Sequence, residues 1–368
     1  MNTNRLFEPL DIAGKLTLPN RIVMAPMTTT SGNPDGSFSD EEIDYLTKRA
    51  RAGVGTIISP ASYCHPSGHA FALQVGCHDD AMLPGMTRLA ENINKAGAVS
   101  FLQIHHGGNA ARKAFIAHQP WAPSAVKNRS GTSELPREMT ENEIWVIIQA
   151  FAEAADRAKR AGFSGVELHG ANTYLLQQFF SPYTNRRTDR WGPGTFQNRT
   201  RFCLEVVKAV REAVGPDYPV AYRVSPEEAD PDGYSTYETI DLLNLLVPAG
   251  VDIVHVSSWR YGEGVRNDYP ADTHPTRMIR EAIEPAVPVI GVGDVSHPDH
   301  ALRMLDDGID LVALGRILLL DADWAAKVKA GDTESIVTGI SSEKELQQLA
   351  IPTNMKQYIR KWVLANPS

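Results

Sequence analysis

The sequence predicts an α/β protein, a (β/α)8 TIM barrel with long strand-to-helix loops over its C-terminal face. Three observations predict it. Eight short apolar runs of four to eight residues recur along the chain, amphipathic helical stretches lie between them, and no Gly-x-Gly-x-x-Gly turn follows an early run. Strand then helix, repeated eight times, is the arithmetic of a closed parallel barrel. The competing fold is a doubly wound sheet, and its dinucleotide-binding version lacks its phosphate-binding turn here.

The runs are Arg21–Pro26, Thr56–Ser59, Ala98–His105, Gly165–His169, Val220–Ser225, Ile253–Ser257, Val287–Val292 and Leu311–Leu314, mostly rich in Val and Ile. Ser39-Asp-Glu-Glu42 and Thr140-Glu-Asn-Glu143 read as capping boxes that open helices running to Ala52 and Ala161. Further helices are expected over Asp80–Ala96, stopped by Gly97, and over Asn198–Val214, Thr236–Ala249, Pro275–Ile283 and His297–Asp307. Two segments exceed ordinary loop length, Gly107–Met139 and Ser181–Gln197. Both follow strands, so both are expected over the face where a barrel does its chemistry. One domain is expected over residues 1–368, with a C-terminal tail from about residue 350.

Composition narrows the class. The 368 residues are 42% hydrophobic and 22% charged, which suits a globular protein and argues against disorder, collagen or coiled coil. With 36 Lys and Arg against 44 Asp and Glu the net charge is −8, so there is no cationic field to collect nucleic acid. Cys64, Cys77 and Cys203 are too scattered for a disulfide framework or a thiolate metal site, which fits a reducing compartment. His105 and His106 are adjacent on a strand and point to opposite faces, which argues against a shared metal. The first residues show no secretory or transit pattern. The most apolar stretch, Leu311–Leu320, is broken by Arg316 and falls short of the ~20 residues of a membrane helix. A soluble, cytoplasmic protein is expected.

A barrel brings the carboxyl ends of its strands to one pocket. Those ends carry Pro26-Met27-Thr28, Ala61, Gln103, His169-Gly-Ala-Asn172 with Tyr174, Arg223, Ser257-Ser258, Gly291-Val-Gly293 and Gly315-Arg316. Gly293 and Gly315 let backbone N–H groups approach an anion, and Arg316 can fork onto phosphate oxygens. Each glycine alone suits an ordinary barrel turn; the pair on adjacent strands, with an Arg, points to phosphate. His169 and Asn172 supply two donors for one carbonyl oxygen, and the Tyr174 hydroxyl can deliver a proton. Gln103 shares its strand face with His105, and its amide can both donate to and accept from a heteroaromatic ring.

Taken in order, Leu6-Phe-Glu-Pro9, Leu18-Pro-Asn-Arg21, Ala25-Pro-Met-Thr28, Gln103-Ile-His-His106, Pro136-Arg-Glu-Met-Thr140, His169-Gly-Ala-Asn172 through Ser181-Pro182 and Asn185-Arg-Arg187, Arg223-Val-Ser225 and Gly315-Arg316 cover nearly the whole chain. This series resembles the old yellow enzyme family, flavin-dependent ene-reductases. The resemblance implies FMN, with its phosphate on Gly293, Gly315 and Arg316, its ring on Pro26, Met27, Thr28 and Ala61, and its pyrimidine edge on Gln103 and Arg223. It implies NADPH or NADH as reductant and a ping-pong hydride transfer to the C=C bond of α,β-unsaturated carbonyl compounds, with nitro compounds as a further class. His169 and Asn172 would hold the carbonyl oxygen while Tyr174 protonates the α-carbon.

Two positions depart from the pattern: Asn109 stands where members often have Arg, and Thr173 where Gly is frequent. The tail Gln357-Tyr-Ile-Arg360-Lys-Trp362 resembles that of a bacterial branch in which the Arg reaches a neighbouring subunit's site. A homo-oligomer with Trp362 at the interface is therefore expected. Two other readings stay open on the residues alone. One is a redox-silent isomerase or lyase holding a phosphorylated substrate at Gly293, Gly315 and Arg316; the other is a flavin-binding protein without turnover.

Overall fold

Eight parallel strands occupy the eight apolar runs: β1 (Ile22–Met24), β2 (Thr56–Ile58), β3 (Val99–His105), β4 (Gly165–Gly170), β5 (Val220–Val224), β6 (Ile253–Ser257), β7 (Val289–Val292) and β8 (Leu311–Leu314). Each pairs with its neighbour, and β8 returns to β1 with Ala313 opposite Val23, so the sheet closes into the expected barrel. The structure, a computed structural model, describes residues 2–128, 134–264 and 274–365, the side chains of Tyr358 and 361–365 excepted.

Helices follow the strands in turn: α1 (Asp40–Arg51), α2 (Leu83–Lys95), α3 (Glu141–Arg160), α4 (Phe196–Val214), α5 (Thr236–Ala249), α6 (Pro275–Ala282) and α7 (Pro298–Asp306). The stretch expected as one helix from Asp80 starts with a 3-10 turn, Asp80–Met82, before α2. Thr140 and Glu143 form the expected capping box. The other expected box does not close: Ser39 accepts from the Glu42 N–H, but the Glu42 carboxyl is buried and accepts from the Thr29 hydroxyl instead. After β8 come α8 (Arg316–Leu320), which had no amphipathic stripe to announce it because Ile317–Leu320 is apolar on every side, and α9 (Trp324–Ala330), a short helix that buries Trp324, Ala325 and Val328. Among the described residues no helix is long and apolar enough to cross a membrane.

The barrel interior is apolar at one end. Val23, Ile58, Phe101, Ala221, Ile253, Ile290 and Leu311 pack together there. The hairpin Leu10–Ile12 and Leu16–Leu18 adds Ile12 and Leu18 to the same cluster and plugs that end. Two residues further along the same inward faces the side chains turn polar: Gln103 after Phe101, Glu167 after Gly165, Arg223 after Ala221 and His255 after Ile253. The alternate residues face outward into a second layer, where Leu168, Tyr222 and Val254 meet helix residues such as Phe151, Phe202 and Val206.

The two long loops are tied to each other. Arg187, nearly fully buried, donates to the carbonyls of Pro123 (3.3 Å) and Met139 (2.6 Å) and pairs with Asp189. The Arg186 N–H donates to Ser124 Oγ at 2.9 Å. Residues 129–133 of the first loop lie outside the described residues.

Candidate active site

Strand register assembles the centre of the site. Gln103 on β3 lies opposite Glu167 on β4, and Arg223 on β5 lies opposite both His169 on β4 and His255 on β6. All five side chains are buried. Gln103 Nε2 donates to Glu167 Oε1 at 2.8 Å, and His255 Nδ1 donates to Glu167 Oε2 at 2.7 Å. A carboxylate only accepts, so the amide nitrogen of Gln103 must face it and the amide oxygen turns the other way. Burial works against the Glu167 charge, but His255, Arg223 and Gln103 outweigh it and hold this carboxylate below its usual range. Burial lowers the pKa of His255, whose neutral ring needs its proton on Nδ1 to make this bond. Sequence reasoning missed Glu167 and His255. The available signal was an acid and a histidine inside apolar strand runs, both on inward-facing positions.

His169 Nδ1 accepts from the Ala171 N–H at 3.4 Å, which leaves the proton of the neutral ring on Nε2 as a donor. Burial, with Arg223, His105 and His255 nearby, pushes its pKa well below the usual histidine value. The Tyr174 ring stands edge-on to His169 at 4.9 Å and to His105 at 4.3 Å between centroids. His105 is fully buried with neither ring nitrogen partnered, and burial brings its pKa down to about 3. His106 points away, with Nε2 bonded to Ser67 Oγ at 2.9 Å, as adjacent strand positions require. No cluster of metal-ligating side chains occurs among the described residues.

Asn172 sits exposed at the mouth, its backbone N–H on Ser225 Oγ (2.9 Å) and its side-chain amide on Ser257 Oγ (3.3 Å). Asn172 and Thr173 both take left-handed backbone, with φ of +57° and +64°. Asn tolerates that conformation; a β-branched Thr is strained in it. The strain explains why Gly suits position 173. The turn is clamped from below, where Gln177 Oε1 accepts from the Thr173 N–H (2.8 Å) and Gln178 Nε2 donates to its carbonyl (2.7 Å). Asn109 is bound to Gln178 reciprocally, its N–H donating to Oε1 at 3.0 Å and its Oδ1 accepting from Nε2 at 2.8 Å.

Pro26 and Ala61 are buried at the ends of β1 and β2, with Met27 and Thr28 half-buried. A Cβ built on Gly315 would lie 3.7 Å from Met27 Sδ and meet nothing closer, so the β8 end leaves open room beside β1. Gly293 is different: its φ is +151°, and a Cβ there would strike the Tyr261 backbone nitrogen. The neighbouring segment alone therefore accounts for that glycine. Arg316 is exposed, paired with Asp294, its guanidinium 5.9 Å from the Trp259 ring centre. In the tail, Arg360 is exposed and pairs with Glu343 of its own chain at 3.0 Å; the Trp362 side chain lies outside the described residues.

These residues fit FMN. The outward amide oxygen of Gln103 suits an imide N–H, Arg223 is a buried cation whose Nε has no partner, and the space at Gly315 suits a phosphate. The comparisons agree. A model of the NADH:flavin oxidoreductase / NADH oxidase family matches residues 5–334. The chain is 40% identical over 349 residues to the probable NADH-dependent flavin oxidoreductase YqiG of Bacillus subtilis (strain 168), covering 92% of each. It is 38% identical to NADH:fumarate oxidoreductase of Klebsiella pneumoniae (strain 342), with 90% of this chain matching 36% of that longer protein. The structure of morphinone reductase in complex with tetrahydroNAD superposes with a TM-score of 0.77 at 30% identity, covering 92% of this chain and 93% of that one. The chain therefore belongs to the NADH:flavin oxidoreductase / NADH oxidase family, the FMN-dependent barrels of the old yellow enzyme type.

Proposed function

We propose that this protein uses NADH or NADPH to reduce the activated C=C bond of α,β-unsaturated carbonyl compounds, and nitro compounds as a second class. The observation that carries this reading is the His169 tautomer: a neutral imidazole with Nε2–H free to donate, beside Tyr174 and one strand from Arg223. Bound FMN supplies two-electron hydride transfer between a nicotinamide and the substrate. The chain's own residues do the rest. Pro26, Met27, Thr28 and Ala61 would flank the ring, Gln103 and Arg223 would hold its pyrimidine edge, and Gly293, Gly315 and Arg316, the last now paired with Asp294, would hold the phosphate. His169 and Asn172 hold the substrate's carbonyl oxygen, whose growing negative charge their donors stabilise. Tyr174 gives its hydroxyl proton to the α-carbon.

The chain is read as one FMN-binding barrel with its tail from about residue 350, working on small molecules in the cytoplasm, where three buried free thiols suit reducing conditions. The same reading includes a homo-oligomer, in which Arg360 would exchange its Glu343 partner for a second copy of the chain. Anaerobic titration tests the activity: the yellow protein bleaches with NAD(P)H and regains colour on adding cyclohexenone. A colourless protein returns the redox-silent reading; bleaching without reoxidation by enones or nitro compounds leaves a flavin carrier.

A further inference from the structure

The barrel interior holds a hydrogen-bonded pair, Glu167 and His255, that the activity above does not use. Glu167 is fully buried, and each of its oxygens is committed, one to Gln103 and the other to His255. It faces inward between the two side chains assigned to the cofactor's pyrimidine edge, on the strand that neighbours both of theirs.

We propose that Glu167, fixed by His255, is a positioning residue that orients the Gln103 amide toward the cofactor and offsets part of the Arg223 charge. The inference rests on the reading that Gln103 and Arg223 meet the pyrimidine edge of FMN. An amide's two ends are nearly equal in size, so packing alone does not choose between them. The carboxylate does choose, because it has no proton to give and takes only the N–H end. The oxygen is thereby set to accept from the imide N–H of the ring. His255 keeps the carboxylate from rotating, since its Nδ1–H occupies the second oxygen at 2.7 Å.

The second role is electrostatic. Arg223 is buried, and its Nε has no hydrogen-bond partner, so its charge is balanced by the field of Glu167 rather than by a fork onto a carboxylate. A buried cation without a counter-charge is strongly disfavoured. Reduction adds negative charge to the flavin ring, and an unopposed Arg223 would favour that state. Glu167 moderates it, placing the reduction potential lower than Arg223 alone would set it.

The test uses apoprotein and FMN-loaded protein of the wild type, E167Q and E167D. Two readouts are taken: the flavin midpoint potential, and the affinity of the apoprotein for FMN against N3-methyl-FMN, which lacks the imide N–H. Wild type should prefer FMN by about tenfold, the worth of one hydrogen bond. E167Q removes the charge with little change of shape and should raise the potential. E167D keeps the charge but withdraws it from Gln103, so the potential should stay near wild type while the preference for FMN falls toward unity. A purely structural role would lower thermal stability in both variants without this split. Folded E167Q with an unchanged potential, or E167D with an unchanged preference, overturns the proposal. If E167Q does not fold, E167D carries the test. Failure of the wild type itself to discriminate would instead remove the ring from Gln103.

Discussion

The two ends of the barrel interior are built by the same strands, two residues apart, and share almost no chemistry. At one end Val23, Ile58, Phe101, Ala221, Ile253, Ile290 and Leu311 exclude water and leave nothing to titrate. At the other, Gln103, Glu167, His169, Arg223 and His255 bury charges and ring nitrogens at equal depth. Burial of apolar area is favourable wherever it occurs, whereas buried polar groups cost free energy unless each is paired. The apolar end therefore secures the barrel. The polar end is held in place by it and keeps unpartnered atoms, such as Arg223 Nε and both His105 nitrogens, for other work.

The comparison is broken most sharply by Tyr174→Phe. Loss of the hydroxyl should slow enone reduction by ~10²–10⁴-fold while FMN binding and reduction by NAD(P)H stay near wild type. Stopped-flow measurement of the two half-reactions separates them; equal slowing of both would refute the assignment. A nitroalkene, whose anion is stabilised without protonation, should lose much less. The matching change at the apolar end is Phe101→Ala. It should cost about 3–5 kcal/mol of stability in urea unfolding and leave the flavin midpoint potential alone. A shifted potential in that variant would mean that the two ends are coupled.

Much of this contrast was readable in the sequence, for a definite reason. Strands buried on both faces read as continuous apolar runs, so the eight strands announced themselves, and the barrel then gathered His169, Tyr174, Gln103 and Arg223 without further information. Pairings across the barrel were not readable. Glu167 and His255 are 88 residues apart, and nothing local in either strand names the other. Glu42 sits where a capping box predicts a solvent-facing carboxyl, yet Thr29 draws it inward. The Asp294 partner of Arg316 and the backbone that crowds Gly293 likewise come from the closed fold. Position 173 is a related case: the sequence shows a Thr where Gly is frequent, and only the structure supplies the reason, a positive φ.

His169→Ala probes the polar end at one donor. If a phenolate-like ligand sets its oxygen between His169 and Asn172, as proposed for the substrate carbonyl, loss of one donor to that charged oxygen should weaken binding by roughly 1.5–3 kcal/mol. Titration of the flavin charge-transfer band with p-hydroxybenzaldehyde gives the affinity. An unchanged value would move the oxygen site away from His169.

Acid distinguishes the two ends by a smaller, graded effect. Burial depresses the pKa of His105, His169 and His255 below the unfolded value of ~6.5. Above that pH neither folded nor unfolded chain protonates these rings, and their contribution to stability is constant. As the pH falls through ~6.5 the unfolded chain takes up protons that the folded one does not, so stability drops by up to about 1.4 kcal/mol per pH unit for each ring. For His105 the window extends down to about 3. Urea midpoints at pH 7.5 and pH 5 should differ accordingly, while the penalty of Phe101→Ala is the same at both. A pH-dependent Phe101→Ala penalty would count against the division.

The smallest expected change is Thr173→Gly, and it asks whether the polar end stores strain. At φ +64° a β-branched side chain crowds its own backbone, which costs of order 1–3 kcal/mol, and glycine removes that crowding. Glycine also gives the unfolded chain more freedom, which takes back about 0.4–1 kcal/mol. Thr173 is exposed, so little packing is lost with its side chain. The backbone clamps from Gln177 and Gln178 act on its N–H and carbonyl, which glycine keeps. The net expectation is a gain of about 1 kcal/mol, read as a higher urea midpoint with unchanged enone kinetics. A lower midpoint would show that those two glutamines already remove the strain, and that the Thr173 side chain holds the turn through contacts of its own.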